Sequence, residues 1–118
     1  GRMNNLSNFL IREFTEESSK KSIKFFRSYG AHGYIIWLTI ISHFLDKKKL
    51  SVENLIKISS TYASRRTIID FINRGIEKGF LNKLNSDDDK RKVLIVPTDI
   101  TVNEYNDWSK YFISNINF

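Results

Sequence analysis

Cysteine is absent from the 118 residues. Its absence removes disulfides, thiolate zinc sites and cysteine nucleophiles, and it fits a reducing compartment. Proline occurs once, at Pro97, so little interrupts helical patterning before it. The two histidines, His32 and His43, have no second ligand at metal spacing beyond a weak His43/Asp46 pair. No serine or threonine stands in a recognisable nucleophile and base arrangement. The stretch "GAHG" lacks the lysine of a phosphate loop, and Asp87 to Asp89 lack the glycine and distal glutamate of a calcium loop. These gaps leave no catalytic residue, no metal ligand set and no cofactor motif, so a non-enzyme is expected. Long apolar runs are also missing: Tyr34 to Leu45 has the length of a core helix and falls short of the ~18 residues of a membrane span. Gly1 and Arg2 before Met3 read as a cloning remnant, with no signal-peptide pattern after them, and the expectation is a soluble cytoplasmic protein.

What is present is a modest core and an uneven charge. Apolar residues make up 41% of the chain, enough for one domain, expected to span 1–118. The formal charge is +6. Residues 47–92 hold twelve of the nineteen Lys and Arg and six of the thirteen Asp and Glu, while the seven bases and seven acids outside that segment balance. The whole excess therefore sits in the middle. A basic segment between neutral flanks fits a polyanion-binding element, and equally a plain solvated surface.

Apolar periodicity organises the chain into helices with one hairpin. Leu6, Phe9, Leu10, Ile11 and Phe14, then Ile23, Phe25 and Phe26, indicate one long or two broken helices before a glycine-containing link, "SYGAHG". A helix from about Tyr34 to Asp46 is apolar nearly all round and is expected to be central and buried. Ser51 can cap a short helix "VENLIKIS" with Leu55, Ile56 and Ile58 facing inward. After the connector "STYA", Ser64 can cap a second helix, "RRTIIDFINRGIEK", closed by Gly79. Two β-type runs, "FLNKL" and "KVLIVP", flank a charged tip and form a hairpin ended by Pro97. Thr98 or Asp99 can cap a last helix carrying Tyr105, Trp108, Tyr111, Phe112, Ile113 and Ile116. The fold class is mainly α with a small β-hairpin (α+β), a winged helix-turn-helix: residues 50–79 form the helix-turn-helix and 80–97 the wing.

In the second short helix, about 100° per residue puts Ile68, Phe71, Ile72 and Ile76 on one side. Arg66, Thr67, Asp70, Asn73, Arg74 and Glu77 fall on the other. Arg and Asn carry the forked donors that match guanine and adenine edges in a major groove. Arg65 and Arg66 open the helix, where the dipole disfavours cations unless an anion is near. Arg66, Asp70 and Arg74 also stand at i, i+4, i+8 and can pair with each other. In the wing tip Lys90, Arg91 and Lys92 suit a phosphate or a narrow minor groove. The candidate DNA-binding set is thus Ser64, Arg65, Arg66, Thr67, Asp70, Asn73, Arg74, Lys90, Arg91 and Lys92. The three acids before the wing bases are expected to turn outward, to brace Arg91, or to limit non-specific binding.

Five features resemble the MarR family of winged-helix transcriptional regulators: Leu50-Ser51 at a helix start, Ser64 to Thr67 opening the second helix, Lys78-Gly79-Phe80, the wing run Asp89-Lys90-Arg91, and Pro97-Thr98 at its exit. The resemblance covers about 49 residues, Leu50 to Thr98. It implies that Arg66, Thr67 and Asp70 occupy base-reading positions, that Arg91 is the wing arginine, and that a double-stranded DNA partner, a homodimer and a small aromatic effector are to be looked for. Gly75 departs from it, standing where a core leucine is usual, and the connector before Ser64 is longer. The effector would sit near Tyr34, Trp37 and His43. Segments 6–29 and 99–118, with Phe9, Leu10, Phe14, Trp108, Tyr111, Phe112, Ile116 and Phe118, carry more aromatic surface than one side of packing needs, and are expected to dimerise. The function expected is a dimeric repressor reading specific duplex sites. The alternatives are a winged helix used for protein assembly and a nucleic-acid binder without sequence preference.

Overall fold

The computed structural model describes residues 2–16 and 18–116, and the side chains from Asn5 to Asn115 among them. Phe118, and the side chain of Ile116, lie outside the described residues. Six helices and one hairpin follow in the order α1 (Arg2–Thr15), α2 (Lys21–Arg27), α3 (Ala31–Leu45), α4 (Val52–Ile58), α5 (Arg65–Glu77), β1 (Leu81–Asn85), β2 (Val93–Pro97) and α6 (Asp99–Ile116). No described helix is long and apolar enough to cross a membrane.

Helix α3 begins three residues earlier than the periodicity indicates, because Ala31, His32 and Gly33 form its first turn instead of a link. Gly30, at φ +76°, makes the corner alone. Gly33 is helical, and its missing side chain serves packing: a Cβ there would collide with the Phe26 carbonyl and lie 2.8 Å from Tyr29 Cβ. Ile36, Trp37, Ile40 and Ile41 of α3 are buried. The helix is nevertheless not covered all round, since Ile35, Leu38, Phe44 and Leu45 remain exposed.

Trp37 is the hub of the core. Phe26 stacks on it at 5.9 Å, and Tyr34, Tyr105 and Trp108 meet its ring at 5.8, 5.8 and 5.1 Å. Ile23, Phe25 and Phe26 of α2 belong to this core and not to an outer face. Glu104 of α6 holds α2 in place, accepting both the backbone N–H (2.8 Å) and the hydroxyl (2.5 Å) of Ser22. The terminal helices pack on each other within the one chain: Phe9, expected at a partner surface, is buried and meets Phe112 at 4.8 Å and Tyr111 at 5.5 Å. Glu13 ties α1 to two further helices by accepting from the Tyr34 hydroxyl (2.8 Å) and Trp108 Nε1 (2.9 Å).

The helix-turn-helix caps stand where the sequence places them. Ser51 Oγ accepts from Asn54 N–H at 3.0 Å, and Ser64 Oγ accepts from Thr67 N–H at 3.1 Å. Leu55 points inward from α4 as expected, Ile56 is half-buried, and Ile58 is exposed, because the inward position one turn on falls to Ser59. Gly79 ends α5 at φ +84°, with its N–H on the Ile76 carbonyl and the Phe80 N–H on the Gly75 carbonyl. The hairpin is antiparallel, pairing Leu81 with Pro97, Lys83 with Ile95 and Asn85 with Val93. A bridge from Ser51 to Leu94 docks the segment before α4 on the other edge of β2. Thr98 precedes α6, yet its hydroxyl does not cap it: it donates to the Gly79 carbonyl at 2.8 Å and so staples the hairpin base to the end of α5.

Gly75 has a specific purpose in this frame. A Cβ at that position would lie 2.6 Å from Leu81 Cδ1, and Leu81 is fully buried. A leucine at 75 would occupy the space that Leu81 fills, so that core contact comes from the first residue of β1 instead of from α5.

Candidate nucleic-acid interface

Helix α5 places the candidate residues by its own period. Ile68, Phe71, Ile72 and Gly75 are buried against the core, while Arg65, Arg66, Asp70, Asn73, Arg74 and Glu77 are exposed and Thr67 is half-buried. The polar residues do not behave alike. Arg65 is turned back on its own motif, its guanidinium forming a two-pronged pair with Glu53 of α4 at 2.9 and 2.7 Å. That hydrogen bonding holds the Glu53 carboxyl below the usual carboxylate range and supplies the anion that a cation at a helix start requires. Arg74 pairs with Asp70 at 3.1 Å, as the i, i+4 spacing allows. The Thr67 hydroxyl is shared with the cap Ser64 at 2.9 Å. Asn73 accepts from Lys83 of β1 at 3.4 Å. Arg66 has no hydrogen-bond or ion-pair partner among the described residues, which leaves one unengaged guanidinium on the outward face.

The wing tip resolves its acids into separate jobs. Asp89 organises the turn: its Oδ1 accepts the Arg91 N–H at 3.0 Å and lies 3.4 Å from Arg91 Nε, while its carbonyl accepts from Lys92 N–H. The Arg91 side chain is 93% exposed, so this contact leaves most of its guanidinium in solvent. Asp88 reaches instead to Lys49, in the turn after α3, at 2.8 Å. Asp87 has no such partner among the described residues. Lys90, Arg91 and Lys92 are all exposed.

These contacts link several of the basic elements to one another. Lys83, Arg91 and Lys92 line a cleft of about 430 Å³ together with Ser51, Glu53 and Asn54 at the start of α4. Glu53 links that cleft to Arg65, Lys83 links it to Asn73, and Asp88 links the tip to Lys49. Lys78 lies apart, in a different cleft with Lys21 and Lys24. Sequence periodicity missed Glu53, Lys83, Lys49 and Asp88 as partners, because each pair spans elements whose relative placement no local pattern carries.

Of the residues named for an effector, Tyr34 and Trp37 meet at 5.8 Å, while His43 lies apart from them. Trp37 is wholly buried, so no space the size of a water molecule touches its side chain. Tyr34 spends its hydroxyl on Glu13, and burial, reinforced by that hydrogen bond, pushes its pKa well up. His43 bonds to the Thr39 carbonyl at 2.8 Å and lines a separate cleft beside Leu94 and Val96. Among the described residues no three His, Asp or Glu side chains cluster as a metal site.

A β-hairpin wing behind a capped helix-turn-helix defines a winged helix. No protein-family model matches the chain, and no curated protein matches its sequence. Among solved structures it is similar to three regulators of the MarR type. The heme sensor PefR from Streptococcus agalactiae, solved with heme, aligns with TM-score 0.53 and 18% identity over 95% of this chain and 71% of that one. A mutant form of Lactococcus lactis ZitR gives 0.54 and 16% over 93% and 74%. The apo form of wild-type MarR from E. coli gives 0.53 and 14% over 95% and 73%. At these identities the likeness establishes the fold, the MarR-type winged helix.

Proposed function

We propose that this chain is a transcriptional regulator of the MarR type that binds specific double-stranded DNA sites as a homodimeric repressor. The observation that carries the reading is the outward face of α5, where Arg66 stands without a partner among the described residues beside Thr67 and Asn73, flanked by a wing with exposed Lys90, Arg91 and Lys92. Arg66, Thr67, Asn73 and the Asp70–Arg74 pair face the major groove, with Ser64 capping the helix and Arg65 bracing it against Glu53. The wing bases lie against the backbone or minor groove. The folds it resembles belong to regulators, which supports a binding protein over an enzyme. The dimer reading rests on Leu10, Ile11 and Phe14 of α1 and Ile35 and Leu38 of α3, apolar side chains that one copy leaves exposed.

Selection of bound duplexes from a random pool, followed by fluorescence anisotropy on the selected and random duplexes, tests the reading. The expected result is a selected site bound at least about a thousandfold more tightly than random duplex at physiological salt. Equal affinities would instead support a nucleic-acid binder without sequence preference, and salt-independent or absent binding would refute the DNA reading. Sedimentation should show a dimer at tens of micromolar that Phe14→Asp converts to a monomer. A monomeric wild type would refute the dimer.

A further inference from the structure

The helix before the helix-turn-helix and the second helix within it end in the same way on different residues. Helix α5 closes on Gly79 at φ +84°. Helix α3 closes on Lys47 at φ +58°, with its N–H on the Phe44 carbonyl (3.1 Å) and the Lys48 N–H on the His43 carbonyl (2.8 Å). Glycine adopts that left-handed conformation freely, whereas a side chain there is strained. A lysine held in strain where the same protein elsewhere uses glycine points to a use for the lysine itself. Lys48 and Lys49 follow it. Lys47 and Lys48 have no ion-pair partner among the described residues, and Lys49 meets Asp88 of the wing tip at 2.8 Å, with both side chains largely in solvent. That contact sets the turn beside Arg91 and Lys92. Three cations thus lie next to the candidate interface on an element that the helix-turn-helix and wing do not include, and an acid of the wing engages one of them.

We propose that the turn Lys47 to Lys49 is a further phosphate-binding surface of this protein, and that Asp88 guards it, giving up Lys49 when a DNA backbone arrives. The proposal rests on the DNA-binding reading for the identity of its partner. Exposed pairs of this kind are weak in water and are readily exchanged for a phosphate. Asp88 therefore limits how strongly the turn grips duplex of any sequence. Asp87, one residue away with the same charge, feels Lys49 only through the field and makes no hydrogen bond or ion pair with it, and so supplies the control for the direct contact.

The experiment measures binding of random duplex by anisotropy for wild type, Asp88→Asn, Asp87→Asn and Lys49→Gln, with each Asp variant also made on Lys49→Gln. Asp88→Asn should tighten binding about threefold more than Asp87→Asn, and Lys49→Gln should erase that excess. Equal effects of the two Asp variants, or an excess that survives Lys49→Gln, would overturn the proposal. Lys47→Gly should keep or raise Tm, since glycine suits the turn, while weakening random-duplex binding. A lowered Tm with unchanged binding would assign Lys47 to the end of the α3 dipole and sink its part in the surface. Elution from heparin reads the same surface without a duplex: Asp88→Asn should elute later than Asp87→Asn, and co-elution would overturn the proposal. If that order holds while wild type binds no duplex, the polyanion surface stands and the DNA-binding reading fails.

Discussion

Replacing Gly75 with alanine tests how the wing is hung on α5. Two opposing effects meet at this position. Alanine gains about 0.8–1 kcal/mol over glycine in a helix interior. Against this, its methyl would lie 2.6 Å from Leu81 Cδ1 and 2.9 Å from Cγ, inside contact distance on two atoms of a fully buried side chain. Overpacking of that kind costs about 1–3 kcal/mol. Gly75→Ala alone should therefore lower stability by about 0–2 kcal/mol. Leu81→Ala alone removes a buried leucine and should cost about 2–5 kcal/mol. In the double variant the collision disappears, the helix gain remains, and the alanine methyl fills part of the space. The double variant should consequently be more stable than the sum of the single effects by about 1–3 kcal/mol. Urea unfolding with unchanged m-values measures all four corners of the cycle. Additivity within about 0.5 kcal/mol would refute the argument that Gly75 exists to admit Leu81. Because Leu81 opens β1, Gly75→Ala should also shift the hairpin and weaken specific DNA binding beyond its effect on stability.

Arg66→Ala should cost about 1–3 kcal/mol on a selected site and little on random duplex, whereas Arg91→Ala should weaken both and lower the salt slope by about one, read by anisotropy across a salt series. An unchanged affinity for both duplexes in Arg91→Ala would reduce the wing to a solvated hairpin tip. The Tyr34 phenol is held neutral chiefly by burial and then by Glu13, so its folded pKa is raised and its share of stability, full below about pH 10, is lost as pH climbs toward the folded value. Tyr34→Phe should show a shallower fall in Tm than wild type between about pH 10 and 11, and parallel curves would refute that placement. Glu53 is held below its usual range by Arg65, so the contribution of that pair is present above the ordinary carboxylate pKa and lost as pH falls through the folded value. Glu53→Gln should remove that acid-side loss and free Arg65, seen as tighter random-duplex binding; unchanged binding would mean that Arg65 does not lie near the phosphates.

Local signals read well where local physics decides the outcome. Ser51 and Ser64 cap their helices, Gly79 closes α5, and the inward set Ile68, Phe71 and Ile72 follows from helical period alone. Misreadings arise where tertiary packing overrides pattern. Gly33 reads as part of a link, yet it is a helical residue pressed against the Phe26 carbonyl. Ile58 reads as core, yet a seven-residue helix offers one inward position per turn and Ser59 takes it. Phe9 reads as partner surface, yet α6 covers it within the same chain. The candidate site is legible as a set of charges but not as a set of pairs. Glu53 and Arg65 are twelve residues apart and Lys49 and Asp88 thirty-nine, separations at which no periodicity relates side chains.

That distinction bears on how a face with so much charge can still discriminate. If every base between residues 47 and 92 were unpaired, the segment would bind any duplex through phosphates alone, since that attraction carries no sequence information. Here Lys49, Arg65, Arg74 and Arg91 each face an acid, while Arg66, on the outward face of α5, faces none among the described residues. All four acids are supplied by the helix-turn-helix or the wing itself, so the restraint is built from the same elements as the attraction. Exposed pairs add little to folding. Their effect falls on association, where each pair must open before its base can take a phosphate. On the proposed function, non-specific contact is weakened once for every pair, whereas the contact proposed for Arg66 on a base edge is not. Specificity is a difference of affinities, and lowering the unspecific term raises it as surely as strengthening the specific one. On the proposed function the run "DDDKRK" has a physical rationale: Asp88 and Asp89 engage Lys49 and Arg91 in the free protein, and a duplex would have to compete for them.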